Sequence, residues 1–421
     1  MWLMRFALPL VLILSAGILI PRGHAQSQSV SKKTPLRVVL YPFIPEFTYA
    51  AETIKRMFER ENTDIELVVI DTSANYYSPN DDPKTYIANV KADVYELDSV
   101  FLKDFVDAHK IRPLPDDLLL PQDQLLKNAN VGSTVSGTRY GSAHWVCGNF
   151  LFFTKATAPA KIPTTLKELA GIMGTTPEER MLVDLRGRLT LGEFYLGAAY
   201  AKYKDWATAQ NHIKKAEQPL EDDLGTILKM CPKGSCRDQI FHEVTGIYGR
   251  EFGLKRAKAL IGYSELLHSV LTEATYNGTM TDADLRVGAL PLDDSGAVPI
   301  SWVDSFVVRN DCNDGDDCFK AASKFIKFMQ RDDVYMRLLL PTRPSFLNYP
   351  DGSGPTPIPA YLLPAKANLY TNTDLLNFAH LYPELKAIIE GAAVPTDSGL
   401  NDTLRAVSKE VDTYLKTIVQ N

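Results

Sequence analysis

Cys147 lies inside an apolar run, Trp145 to Phe153, that reads as a buried strand. A cysteine in such a run is most often an inert hydrophobe. The other four cysteines fall into two close pairs, Cys231/Cys236 and Cys312/Cys318, in loops of Gly, Asp and Lys that suit local disulfides in an oxidising compartment. Neither pair has the two-residue spacing or the histidines of a zinc site, so metal binding is the weaker reading. Cys147 is the thiol left over, and a nucleophilic thiol needs a base. His144 is near in sequence, but three residues along a strand point to the opposite face, and a structural role is expected of it. Glu265 is the better base: it closes the turn Gly262-Tyr263-Ser264-Glu265 after a predicted strand, beside an expected cleft. A helix-start glutamate favoured by the macrodipole would look the same.

Two aspartates have comparable double readings. Asp98 is equally a strand-end ligand and a helix cap. Asp304 sits among Trp302, Val303, Phe306 and Val307, where a carboxylate is costly unless it is paired or used. Tyr41, Tyr76, Tyr77, Tyr248, Tyr263 and Trp302 offer ring faces to a flat or cationic ligand, though each alone also suits a core. The sequence holds no phosphate-cradling glycine loop, no metal-binding histidine pair and no Gly-x-Ser-x-Gly elbow. The acidic tract Asn310 to Cys318 lacks calcium-loop spacing and reads as a solvated turn.

Alternating strands and helices must position these groups. Leu36 to Tyr41 reads as a strand, Tyr49 to Glu61 as a helix and Ile65 to Ile70 as a second strand, which together imply a parallel sheet. The tract Asp71 to Pro83 reads as a loop at a strand's carboxyl end, where open α/β sheets bind ligands. Further strands are expected at Asp93 to Leu97, Trp145 to Phe153, Ala257 to Tyr263 and Val298 to Arg309. Helices are expected at Val100 to Ala108, from Thr164 on to about Glu217, after Glu265, from Phe319 to Leu340, and after a Pro-rich loop from Pro341 to Pro364.

The 421 residues are enough for two domains, and 45% hydrophobic residues can fill them. The pattern suggests an α/β chain of two lobes about a central cleft, the plan of the larger periplasmic solute-binding proteins. One lobe would comprise 36–144 with 302–345, the other 148–298 with 350–421. Arg5, the apolar run Ala7 to Ile20 and small residues up to Ala25 read as a signal peptide spanning 1–25. Ile18, not cysteine, follows Leu14-Ser15-Ala16-Gly17, so no lipid tether is expected. The mature protein is expected to be secreted, to the periplasm in a Gram-negative host, and free of the membrane. A formal charge of −6 gives no basic field for nucleic acid and suits a small cationic partner. Asn277 and Asn401 begin glycosylation triplets.

Several segments in one order resemble thiaminase I, thiamine pyridinylase. They are Leu36-Arg-Val-Val-Leu-Tyr-Pro-Phe-Ile-Pro45, Asp93 to Leu102, Tyr140 to Phe153 around Cys147, Ile261 to Glu265, Ser301-Trp-Val-Asp304 and Tyr361-Leu-Leu-Pro-Ala365. The resemblance implies a binding-protein fold and an enzyme that replaces the thiazole of thiamine with an amine, pyridine or thiol. It requires no cofactor or metal, and a monomer is expected. By it, Cys147 forms a covalent adduct with the pyrimidine, Glu265 is the base, and Asp98 and Asp304 hold the pyrimidine. Tyr41 and Tyr263 become cleft aromatics, with either Tyr76 or Tyr77 from the loop. Tyr248 matches across a small gap, and Trp302 stands where a tyrosine is expected. The rival readings are a non-catalytic thiamine- or solute-binding protein of the same fold and a secreted cysteine hydrolase, the latter disfavoured by the lack of a well-placed histidine.

Overall fold

A computed structural model describes residues 33–77, 84–174, 176, 179–187, 189–231, 236–237, 246–342 and 357–420. The expected signal peptide, the end of the 71–83 loop and most of the Pro-rich loop lie outside these residues.

From Lys33 onward the chain builds two sheets. It opens with β1 (Thr34–Val39), helix α1 (Phe47–Glu61), β2 (Ile65–Ile70), β3 (Val94–Asp98) and helix α2 (Ser99–Asp107). A short hairpin, β4 (Thr134–Val135) and β5 (Thr138–Arg139), precedes β6 (Ser142–Cys147), β7 (Asn149–Thr154) and β8 (Met181–Val183). The remaining strands are β9 (Ala259–Tyr263), β10 (Leu285–Ala289), β11 (Ile300–Val308), β12 (Leu363–Pro364) and β13 (Ala392–Ala393). The larger sheet has the order β12-β6-β11-β3-β1-β2, with β13 also on β11, and the smaller the order β10-β7-β9-β8. Strands β1, β2 and β3 are parallel, as the strand–helix–strand pattern implied, whereas β11 runs antiparallel to both β3 and β6. This is the two-lobed α/β plan expected from the sequence.

Three expectations are corrected. The run Trp145 to Phe153 is not one strand: β6 ends at Cys147 in the larger sheet, and β7 starts at Asn149 in the smaller one. Gly148 makes the step possible. A Cβ there would stand 2.6 Å from Ile389 Cδ1 and 2.7 Å from the Ile300 carbonyl oxygen. Apolar residues continue on both sides of the glycine because both sheets are buried, so hydrophobicity alone does not mark the break. Thr164 to Glu217 is not wholly helical, since Met181–Val183 forms β8. The helix expected over Phe319 to Leu340 is two, Asp317–Met329 and Asp332–Leu339. Strand β10 went unread. Within 350–421, β12 and β13 add to the larger sheet.

The expected disulfides Cys231–Cys236 and Cys312–Cys318 are formed, with Cα atoms 6.1 and 5.5 Å apart, and Cys147 is the free cysteine. Among the described residues no helix is long and apolar enough to cross a membrane. Asn277 is exposed at a helix end, whereas Asn401 is buried.

Candidate active site

Strand register gathers the chemistry. Asp304 of β11 stands opposite Asp98 of β3, and Trp302, two residues earlier on β11, stands opposite Cys147 of β6. Residues in register, and residues two apart on one strand, share a face, so Asp98, Asp304, Trp302 and Cys147 lie on one side of the larger sheet. Between Asp304 and Ser305 the register with β6 slips by one, leaving His144 as the extra residue of a bulge. The His144 ring is buried against Trp145, Phe306 and Tyr335, with Nδ1 2.5 Å from Glu96 Oε1. It belongs to a structural pair, as expected, and Glu96 also accepts the Tyr41 backbone N–H (2.8 Å).

Asp98 fills the cap role and also holds a tyrosine. Its Oδ1 caps α2 through the Val100 N–H (2.9 Å), and its Oδ2 accepts the Tyr77 hydroxyl (2.5 Å). Asp304 is 1% exposed, and its Oδ1 has no hydrogen-bond partner. Burial, then Asp98, Glu96 and Glu265, push the Asp304 carboxyl well above the usual range. Burial also raises that of Asp98, but hydrogen bonds from Tyr77, Val100 and Ser99 oppose it. Of the two carboxyls Asp304 is raised further, because fewer hydrogen bonds oppose its burial. Burial pushes the Cys147 thiol well up, reinforced by Asp304, Asp98, Glu265 and Glu193.

A cavity of about 250 Å³ opens beside this face. Its wall includes Tyr41, Phe43 and Tyr77 on one side and Glu193, Tyr263 and Glu265 on the other. The Phe43 and Tyr77 rings stack at 5.6 Å, and the Tyr77 hydroxyl lies 3.1 Å from that of Tyr41. Glu265 sits at the head of the helix Leu266–Asn277, where its side chain makes no capping bond. Cys147, Asp98 and Asp304 do not line the cavity, and Asp98 lies beneath Tyr77, as their hydrogen bond shows.

The remaining aromatics separate. Tyr76 is fully buried: it donates to the Glu96 carbonyl (2.9 Å) and accepts from the Asp98 N–H (3.0 Å), splinting β3 from below. Of the two loop tyrosines, only Tyr77 reaches the cavity. Tyr248 faces away, with its hydroxyl accepting the Cys236 N–H (2.5 Å), while Gly246 and Arg250, two residues to either side of it, line the cavity. Trp302 lines a separate, smaller void with Asn149 and Glu193. The Tyr263 hydroxyl bonds Glu193, a residue unread in the sequence. The available signal was a lone acid in the almost wholly buried helix Thr190–Tyr203. Among the described residues no group of His, Cys, Asp and Glu is arranged to hold a metal ion.

No family model matches the chain. It is 26% identical over 435 residues to Thiaminase-1 of Paenibacillus thiaminolyticus, covering 99% of this chain and 93% of that protein. In fold it is similar to Clostridium botulinum thiaminase I in complex with thiamin, with a TM-score of 0.74 and 19% identity over 90% of this chain and 100% of that one. It is also similar to maltose-bound MalE3 of T. maritima, with a TM-score of 0.65 and 16% identity over 91% of this chain and 99% of that one. The chain thus resembles thiaminase I in sequence and shares its fold with sugar-binding proteins.

Proposed function

We propose that the protein is a secreted transferase of the thiamine pyridinylase type. It exchanges the thiazole of thiamine for an amine, pyridine or thiol through a covalent adduct on Cys147. The observation that carries this reading is the convergence of an unpaired thiol with two buried carboxyls, Asp98 and Asp304, beside a cavity that holds Glu265. Near full-length similarity to Thiaminase-1 supports it.

The aminopyrimidine of thiamine displaces the Tyr77 hydroxyl from Asp98 and docks against the two aspartates. Ionised Asp98 accepts an N–H of the exocyclic amine, and protonated Asp304 donates to a ring nitrogen, drawing electrons from the carbon to be attacked. Cys147 Sγ bonds to that ring carbon and passes its proton to Glu265. The electrons of the bond between the methylene carbon and the thiazolium nitrogen leave with the thiazole, which departs neutral. Glu265 then releases that proton to solvent, the incoming nucleophile bonds to the methylene carbon and gives its own proton to Glu265, and the Sγ–C bond breaks as Glu265 returns this proton to the sulfur and restores the thiol. Free of substrate, the thiol stays protonated among carboxylates; the thiazolium charge offsets them on binding. Tyr41, Tyr77 and Tyr263 wall the cation. The protein acts as a monomer.

Incubation with thiamine and an aromatic amine tests this, following free thiazole, the amine adduct and the protein mass. Release of thiazole with amine incorporation, abolished in Cys147→Ser, is expected. Release that survives Cys147→Ser sinks the nucleophile assignment, and release without incorporation makes the protein a hydrolase. A thermal shift with thiamine but no release makes it a binding protein.

A further inference from the structure

Cys147 and Glu265 come from different sheets, one at the end of β6 and one just after β9. A single segment, Pro359–Ala365, is bonded to both neighbourhoods. On the Cys147 side, Leu363 and Pro364 pair with Val146 and Trp145, and the Ala365 N–H donates to the His144 carbonyl (2.8 Å). On the Glu265 side, the Ser264 hydroxyl donates to the Tyr361 carbonyl (2.7 Å), and His268 Nδ1 lies 3.1 Å from the Pro359 carbonyl. Ser264 Oγ is itself 3.4 Å from Glu265 Oε2.

The segment is held in an unfavourable shape. Tyr361 is fully buried with φ +53°, a left-handed conformation that a bulky residue rarely adopts. Its side chain explains why the conformation persists. The phenol donates to Asp282 Oδ2 (2.6 Å), and the ring stacks on Tyr382 at 5.3 Å with planes 17° apart. Asp282 is fixed in turn by the His380 N–H and Nδ1, both at 2.7 Å. The Tyr382 hydroxyl donates to the next carbonyl, that of Leu362 (2.9 Å). Strain maintained this firmly, in a segment bonded to the chain neighbour of Glu265 and paired with the chain neighbour of Cys147, indicates a use.

We propose that Tyr361 is a positioning residue: hooked by Asp282, it makes the strap Pro359–Ala365 a brace that holds Glu265 in register with the Cys147 sulfur. The proposal rests on the assignment of Cys147 and Glu265 as nucleophile and base. Tyr361 and Asp282 stand outside the cavity, and their bonds run to Ser264 and His380 and not to Asp98 or Asp304, so the hook should act on the proton transfer and not on substrate binding.

Tyr361→Phe removes the hook and keeps the ring stack. It should lower kcat by about tenfold or more with KM for thiamine within about twofold, the pattern of a misplaced catalytic group. On a Glu265→Gln background the same change should add nothing further. Asp282→Asn, whose amide oxygen still accepts the phenol, should keep most of kcat. Tyr95→Phe, which deletes another buried phenol bond, that to Val90, should leave kcat alone. A second readout needs no thiamine. The groups around the Cys147 thiol are Asp304, Asp98, Glu265 and Glu193, with the Tyr41 phenol alongside. Withdrawing Glu265 should therefore shift the pH profile of Cys147 alkylation downward in both Tyr361→Phe and Glu265→Gln, and not in Tyr95→Phe. Unchanged kcat and alkylation in a folded Tyr361→Phe protein overturn the brace while the transferase reading stands. No turnover by the wild type, with alkylation still linked to Tyr361, overturns the transferase and keeps the brace. Equal loss in Tyr361→Phe and Tyr95→Phe makes the hook merely structural.

Discussion

At the scale of single residues, the site joins groups that disfavour one another's charge. Asp304 is the sharpest case, with a buried carboxyl facing Asp98 and one oxygen without a partner. A carboxyl whose pKa is raised by folding holds its proton more tightly in the native state, so stability falls as pH rises from the unfolded value near 4 towards the native one. Asp304→Asn should remove that dependence and raise stability above pH 5 by on the order of 1–2 kcal/mol. It should also cut kcat/KM by about a hundredfold or more, because an amide cannot pass a proton to the pyrimidine. Urea titrations from pH 4 to 8, paired with turnover, check both halves; a variant that loses stability at pH 7 contradicts the raised Asp304 carboxyl. The sequence carried part of this. An aspartate in an apolar strand was conspicuous, and so was the odd cysteine. Glu193 and Glu96 were not, because a lone glutamate near a helix start or in a strand has many ordinary explanations and only tertiary pairing selects among them.

At the scale of elements, what sequence left open was which strand belongs to which sheet. Periodicity identified β1, α1, β2, β3, α2 and β9 because each has a single buried face or clear punctuation. It missed the break at Gly148 because both flanking strands are buried on both faces and neither alternates. It missed the strap because two proline-rich residues of pairing, β12, have no pattern to detect. Gly148→Ala should cost about 1–3 kcal/mol, since one of the two clashing atoms is a backbone oxygen that cannot swing aside. The same change should reduce kcat by displacing Cys147; denaturation midpoints and turnover together measure it, and an alanine tolerated in both would mean that the crossing has slack.

At the scale of the molecule, an acidic protein with an acid-lined cavity should attract a cation from a distance. For thiamine, kcat/KM should fall several-fold as ionic strength rises from about 0.01 to 0.5 M, because screening shortens the reach of exposed charge. A neutral thiophene isostere of thiamine should bind with little salt dependence. Equal salt responses would place recognition wholly in short-range contacts. The overall plan was the most legible part of the chain, since alternating strands and helices with a departure near Cys147 and a return near Asp304 describe two lobes without any knowledge of side-chain geometry. The strand crossing has a mechanical corollary. Because one residue joins β6 to β7, and Asn149 immediately pairs with Tyr263, the crossing and the strap both fasten the two sheets close to the sulfur, and a rocking of one sheet against the other would have its fulcrum there. Far walls of the cavity would sweep through the largest arcs while the nucleophile hardly travels, so the jaws can admit and release ligands of different size without retuning the distance at which the bond is made.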